Sequence, residues 1–168
     1  MKKLVPILAI SVLIAIGCES AHKGTLRSEF AVNYQSRLYG LTFHLPPGWR
    51  GFTVSTQEWE GISYIPAKDT TEVTARGPLI VLRHPRSTSK VPYQDIPILV
   101  FTRRQWEADK QGRFAIGAGG FDEEIRHNSN YVFAISSRYN ADDSVRGWKE
   151  TSDVVERNRT ERPHLHPE

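Results

Sequence analysis

The stretch Ile96-Pro-Ile-Leu-Val-Phe-Thr102 is apolar at every position but the last. A strand with one wet face alternates apolar and polar side chains. Here Ile96, Ile98 and Val100 point one way and Pro97, Leu99 and Phe101 the other, so both faces are dry and both must be covered. The stretch therefore predicts a central strand, with Pro97 at its start because proline cannot donate to a ladder. Thr102 then predicts a helix N-cap. Its hydroxyl can accept from the Gln105 amide, Gln105 can reach back, and Phe101 can pack on Trp106 as a hydrophobic staple. Gly112 is expected to end that helix.

Other segments are arranged around this one. Leu79–Leu82 and Tyr131–Ile135 are further runs without polar alternation and are expected beside it, as interior strands of one sheet. Gly51–Gln57 predicts a strand paired to the one at Leu41–Leu45, with Trp59, Gly61, Ile62 and Tyr64 continuing irregularly. Pro66–Gly77, rich in Thr and charge, is expected as a connection with a short helical turn. Asp122-Glu123-Glu124, after the glycine-rich run Gly117-Ala-Gly-Gly120, is expected to open a helix. That run is no phosphate loop, because no Lys-Ser/Thr pair follows it. A last helix is expected from Asp142-Asp143-Ser144, with Val145, Trp148 and Val155 on one face.

The folded part opens with Tyr39-Gly-Leu-Thr-Phe-His-Leu-Pro-Pro-Gly-Trp49, in which Leu41, Phe43 and Leu45 alternate with Thr42 and His44. An aromatic-led strand of the form Tyr-Gly-x-x-Phe-x-Leu-Pro-x-Gly-Trp resembles the opening of PsbP-like domains and of DcrB-type envelope lipoproteins. The resemblance implies an α+β fold, a central and mainly antiparallel sheet flanked by helices in three α/β/α layers. It brings no shared catalytic residues.

Residues 1–17 have the form of an export signal. Lys2 and Lys3 make a positive start, and Leu4–Ile16 is an apolar run too short for the roughly 20 residues of a spanning helix. Ala15-Ile16-Gly17-Cys18 resembles the lipobox of bacterial lipoproteins, with Ala15 where Leu is usual; the competing reading is an ordinary secretory signal with an incidental cysteine. Cys18 is the sole cysteine of the 168 residues, so neither a disulfide nor a thiolate metal site is available, and the sulfur stands where acylation would use it. Residues 18–37 are expected as the lipidated cysteine and a tether, 38–157 as one globular domain, and 158–168 as a tail. The membrane is then a partner through acyl chains on Cys18, at the periplasmic face of either envelope membrane.

Loss of Lys2 and Lys3 with the signal leaves 20 basic against 19 acidic side chains. That near-neutral balance argues against nucleic acid as a partner. Motifs for acid–base, nucleophilic or metal chemistry are missing: there is no Gly-x-Ser-x-Gly, no His-Glu-x-x-His, and no carboxylates paired by their spacing. His164 and His166 in the tail lack further ligands. No metal and no cofactor is expected. Three function classes follow: a lipid-anchored binding or accessory domain with an envelope protein partner, a structural component of an envelope assembly, or a hydrolase using His84 with Asp95.

The loop Arg83–Asp95 carries the site expectation. At about 13 residues it far exceeds what a hairpin needs. If its flanking strands pair antiparallel, Arg83 and His84 leave the sheet where Asp95 enters it. A salt bridge from Asp95 to Arg83 or His84 would then clip the base and present Arg86, Lys90 and Tyr93 as a surface for an anionic group.

Overall fold

The computed structural model describes residues 32–117, 122–136 and 144–160. The export signal, Cys18, residues 118–120 of the glycine-rich run, the Asp142-Asp143 pair, and His164 and His166 lie outside these residues.

Among the described residues eight strands and two α-helices follow one another: β1 (Val32–Ser36), β2 (Leu41–Leu45), β3 (Thr53–Ile65), β4 (Thr70–Arg83), β5 (Ile96–Thr102), α1 (Arg103–Lys110), β6 (Ala115–Ile116), β7 (Asp122–His127), β8 (Tyr131–Ser136) and α2 (Trp148–Thr160). β1 and β2 form a separate antiparallel hairpin, so Leu41–Leu45 pairs with Val32–Ser36 and not, as expected, with the strand that follows Gly51. The other strands make one antiparallel sheet in the order β6-β3-β4-β5-β8-β7. The three apolar runs are its interior neighbours β4, β5 and β8.

Both faces of β5 are dry, for the reason its sequence gives. Ile96, Ile98 and Val100 join Ile80, Leu82, Phe133 and Ile135 in a cluster closed by Leu41, Phe43 and Leu45 of the hairpin and Val154 and Val155 of α2. On the opposite face Leu99 and Phe101 join Trp59, Trp106, Phe114, Val132 and Ala134. The Thr102 capping box forms in both directions and starts α1. Phe101 meets Trp106 edge to face at 5.4 Å, and Gly112, at φ 65°, ends the helix.

The three-layer α/β/α architecture is overturned. The described residues form a curled, half-barrel antiparallel sheet with two α-helices, of 8 and 13 residues. Neither is a layer; α1 covers one face with help from β6 and Trp59, and α2 shares the other face with the hairpin. The main cause is Pro66–Gly77. It is no connection: after a single turn at Pro66–Lys68 the chain enters β4, and β3 and β4 pair from Thr53↔Arg83 to Ile65↔Thr70 as one long ribbon. Thr70, Thr71, Val73 and Thr74 are β-branched and suit a strand. Their polarity, which suggested a loop, reflects a ribbon end that no layer covers. Asp122-Glu123-Glu124 likewise begins strand β7 rather than a helix, held by β8 from Asp122↔Ser136 onward. Val32–Ser36, placed in the tether by its polarity, is strand β1, and α2 runs on to Thr160, past the domain's expected end at 157.

One interaction ties three strands together. β4 and β5 pair as far as Leu79↔Leu99, and one step on Val100 would face Pro78, which has no N–H to give. The indole N–H of Trp59 donates to the Val100 carbonyl instead, at 3.1 Å. To reach it, the indole crosses Gly77, its cross-strand partner on β4, where a Cβ would lie 2.6 Å from the ring. Phe101 and Phe114 flank the indole at 4.8 and 5.9 Å. We expect Trp59→Phe, which keeps the aromatic packing but orphans a buried carbonyl, to lose about 1–3 kcal/mol in urea denaturation. A loss within error of zero would show that the carbonyl finds another donor.

Candidate functional site

The loop Arg83–Asp95 leaves β4 and returns as β5, so its two ends meet at one end of the sheet. Arg83 donates to Asp95 through Nε and Nη2, at 3.3 and 3.1 Å. This is the clip expected at the loop's base. Arg83 is 61 % exposed and Asp95 26 %, so the pair contributes about 0–1 kcal/mol. The Asp95 carboxylate also raises the pKa of the Arg83 guanidinium, by hydrogen bond first and by charge second.

His84 goes elsewhere. It is buried, with the Trp49 ring edge-on at 4.8 Å and the Tyr93 ring stacked on it at 4.4 Å. Its Nδ1 accepts from the Arg86 backbone N–H at 3.0 Å. The neutral ring therefore carries its proton on Nε2. That atom has no hydrogen-bond partner among the described residues and stands 3.9 Å from a Glu150 carboxylate oxygen. Burial depresses the His84 pKa, Glu150 raises it, and Arg86 lowers it further. Among the described residues no hydrogen bond or ion pair joins His84 to Asp95, so the structure brings Asp95 together with Arg83 and leaves His84 to face Glu150.

The loop itself is ordered from within. Ser87 N–H bonds the His84 carbonyl, Thr88 and Val91 bond each other, and Tyr93 N–H reaches the Ser87 hydroxyl. Its return leg is joined to the approach to α2: Tyr93 bridges Arg146, and Gln94 N–H donates to the Arg146 carbonyl at 2.9 Å. Gly147, at φ 80°, is required here, because a Cβ would lie 2.5 Å from the Tyr93 ring. Arg86 and Lys90 are exposed and form no ion pair among the described residues.

Two partners of this site were illegible in the sequence. Trp49 comes from the Pro47–Trp49 turn and Glu150 from the first turn of α2. Both arrive through tertiary packing alone, with no local spacing to announce them.

The sequence also concealed a buried carboxylate pair on the other side of the sheet. Asp109 sits three residues after Trp106 on the inward side of α1, and Asp122 begins β7; both are buried. Neither Asp122 carboxylate oxygen has a hydrogen-bond partner among the described residues, while Lys110 Nζ donates to the Asp122 backbone carbonyl at 2.6 Å and lies 4.2 Å over the Trp106 ring. Burial, and then the Asp109 charge, push Asp122 up to about 7 against the pull of Lys110. Burial also raises Asp109, again opposed by Lys110. The one legible signal was a carboxylate at helical spacing from the apolar Trp106. Nearby, an open groove of about 530 Å³ between the ribbon and α1 has Ala75, Ala108 and Phe114 as its apolar lining. Among the described residues no group of three or more His, Cys, Asp or Glu could hold a metal ion.

No family model matches the chain, and neither a curated protein nor a solved structure matches it.

Asp122 binds its proton more tightly folded than unfolded, so the folded state holds the extra proton between about pH 4 and 7. Its contribution is therefore favourable at the acid end and is lost as pH rises through that window. We expect Asp122→Asn to gain in melting temperature over the parent as pH rises from 4.5 to 7.5, because the variant has no charge to bury. A parent-to-variant difference that stays constant with pH would overturn the shifted carboxylate. His84 runs the other way. Its stabilising contribution is present above its unfolded pKa of about 6.5 and is lost as pH falls below it. An NMR titration should place His84 below that value, and lower still in Glu150→Gln.

Proposed function

We propose that the chain is an exported protein held on the bacterial envelope by acyl chains on Cys18, and that its domain is a non-enzymatic binding or accessory module. The observation that carries this reading is Cys18 itself, the sole cysteine, placed directly after a short apolar run with a positive start. Stable attachment needs about two membrane signals, and a diacylated cysteine supplies both chains at once. No helix among the described residues is long and apolar enough to cross a membrane.

The loop Arg83–Asp95 is the interaction surface in this reading. A recognition surface has to hold its shape before it meets a partner. The Arg83–Asp95 clip, the His84 ring held between the stacked Tyr93 and the edge-on Trp49, and the bridge to Arg146 supply that rigidity. The hydrolase alternative asked for His84 activated by Asp95, and the engagement of Asp95 with Arg83 does not favour it.

Cys18→Ser is expected to give an uncleaved or soluble product that no longer partitions with membranes on fractionation. Identical fractionation of parent and variant would sink the anchoring.

A further inference from the structure

We infer that the loop end of the domain rests against the anionic phospholipid headgroups of the membrane that holds Cys18. The inference rests on the anchored reading above and names what its interaction surface meets.

The first observation is where the anchor's connection enters the fold. Val32, the first residue of β1, is paired with Leu45, the last of β2. Leu45 leads through Pro46 into the Pro47–Trp49 turn, whose Trp49 packs on His84. Two residues on, a Cβ at Gly51 would lie 3.9 Å from Pro85. The chain coming from Cys18 therefore reaches the domain beside the loop Arg83–Asp95. The ribbon tip at Pro66–Asp69 is at the other end, separated from the loop by the 14 residues of β4, or about 45 Å of extended chain.

The second observation is charge. Arg50, between the two contacts just described, and Arg86 and Lys90 on the loop are exposed and have no ion pair among the described residues. Of the acidic groups on the described elements that pack here, Asp95 is held by Arg83, and Glu150, at the first turn of α2, stands 3.9 Å from the buried His84 ring, which leaves three exposed cations against one partly exposed carboxylate. Val91, beside Lys90, is 41 % exposed, which places an apolar side chain among the cations as an interfacial segment requires.

Tethering makes such a patch effective. Thirteen residues lie between Cys18 and Val32, and even fully extended they span no more than about 50 Å. Headgroups are thus held at high effective concentration before any contact forms. A few basic side chains near an anionic surface are attracted within a Debye length, about 10 Å at 0.1 M salt. The anchor supplies residence on the membrane, and the patch supplies orientation, loop end down and ribbon tip away.

The test uses the acylated chain. Acylation consumes the sole native cysteine, so one introduced cysteine can carry a spin label: Ser89→Cys on the loop in one sample, Ala67→Cys at the ribbon tip in another. Proximity is read as relaxation enhancement by a nickel-chelating lipid in vesicles of phosphatidylethanolamine with phosphatidylglycerol. The label at residue 89 should be enhanced severalfold more than the label at residue 67. That excess should fall away when phosphatidylcholine replaces the other lipids, or when Arg86→Glu and Lys90→Glu are introduced; the lipid exchange needs no substitution, so it decides even if the charge reversal misfolds. Equal enhancement at both labels in anionic vesicles overturns the inference. So does an excess at residue 89 that ignores both lipid charge and charge reversal, since the tether alone would then set the orientation. An acylated chain that stays on the vesicles with its loop remote sinks this inference alone. A chain that leaves the vesicles removes the anchoring, and this inference with it.

Discussion

A strand with no wet side has to be covered twice, and β5 is such a strand. Its odd and even side chains belong to two separate apolar clusters, each buried large side chain contributing about 1.5–3 kcal/mol. Each cluster needs its own roof, and the chain builds the two differently. On one face the hairpin β1–β2 and helix α2 lie together, joined where Asn158 accepts from His44 N–H and donates to the His44 carbonyl, both at 2.8 Å. A single carboxamide thus pairs the open edge of β2 as a neighbouring strand would. On the other face α1 is too short to suffice, and the aromatic rings of Trp59 and Phe114 complete the cover.

That second roof explains why Trp59 is where it is. Pro78 breaks the ladder between β4 and β5 beside the buried Val100, and an unsatisfied carbonyl there would cost about 1–3 kcal/mol. The Trp59 indole meets both needs at once, donating to Val100 and filling the apolar space above it. Gly77 is the condition for this, since any side chain at that position would occupy the space the indole crosses. Proline, glycine and tryptophan act here as one unit spread over two strands.

The same topology polarises the molecule. The long strands β3 and β4 run between one end where the loop, the Pro47–Trp49 turn and the start of α2 converge and another end where the ribbon projects. The converging end is rigid and carries exposed cations. The ribbon end exposes Ile62, Tyr64 and Val73, with Tyr64 tied to Asp69 at the tip by a 2.6 Å hydrogen bond. Asp109 on the inward side of α1 and Asp122 at the start of β7 are both buried, which raises both carboxyls, and the Asp109 charge lifts Asp122 further.

The sequence by itself determined what depends on neighbours along the chain. Two-faced apolar runs identified the interior strands, Thr102 and Gln105 started α1, Gly112 ended it, and the antiparallel return from β4 to β5 placed Asp95 beside Arg83. Each rests on periodicity, on hydrogen bonds that span three or four residues, or on the length of one loop. Only the tertiary structure decided that Pro66–Gly77 is half of a ribbon, that Asp122-Glu123-Glu124 is a strand, that His84 is buried against Glu150 rather than beside Asp95, and that Asp109 and Asp122 interact. A strand's partner lies across the sheet and its pairing follows from total burial, so a polar segment of Thr and charge reads as a loop until a neighbouring strand accepts its hydrogen bonds. Carboxylates thirteen positions apart come to influence one another only when α1 folds back over the sheet and removes the water between them.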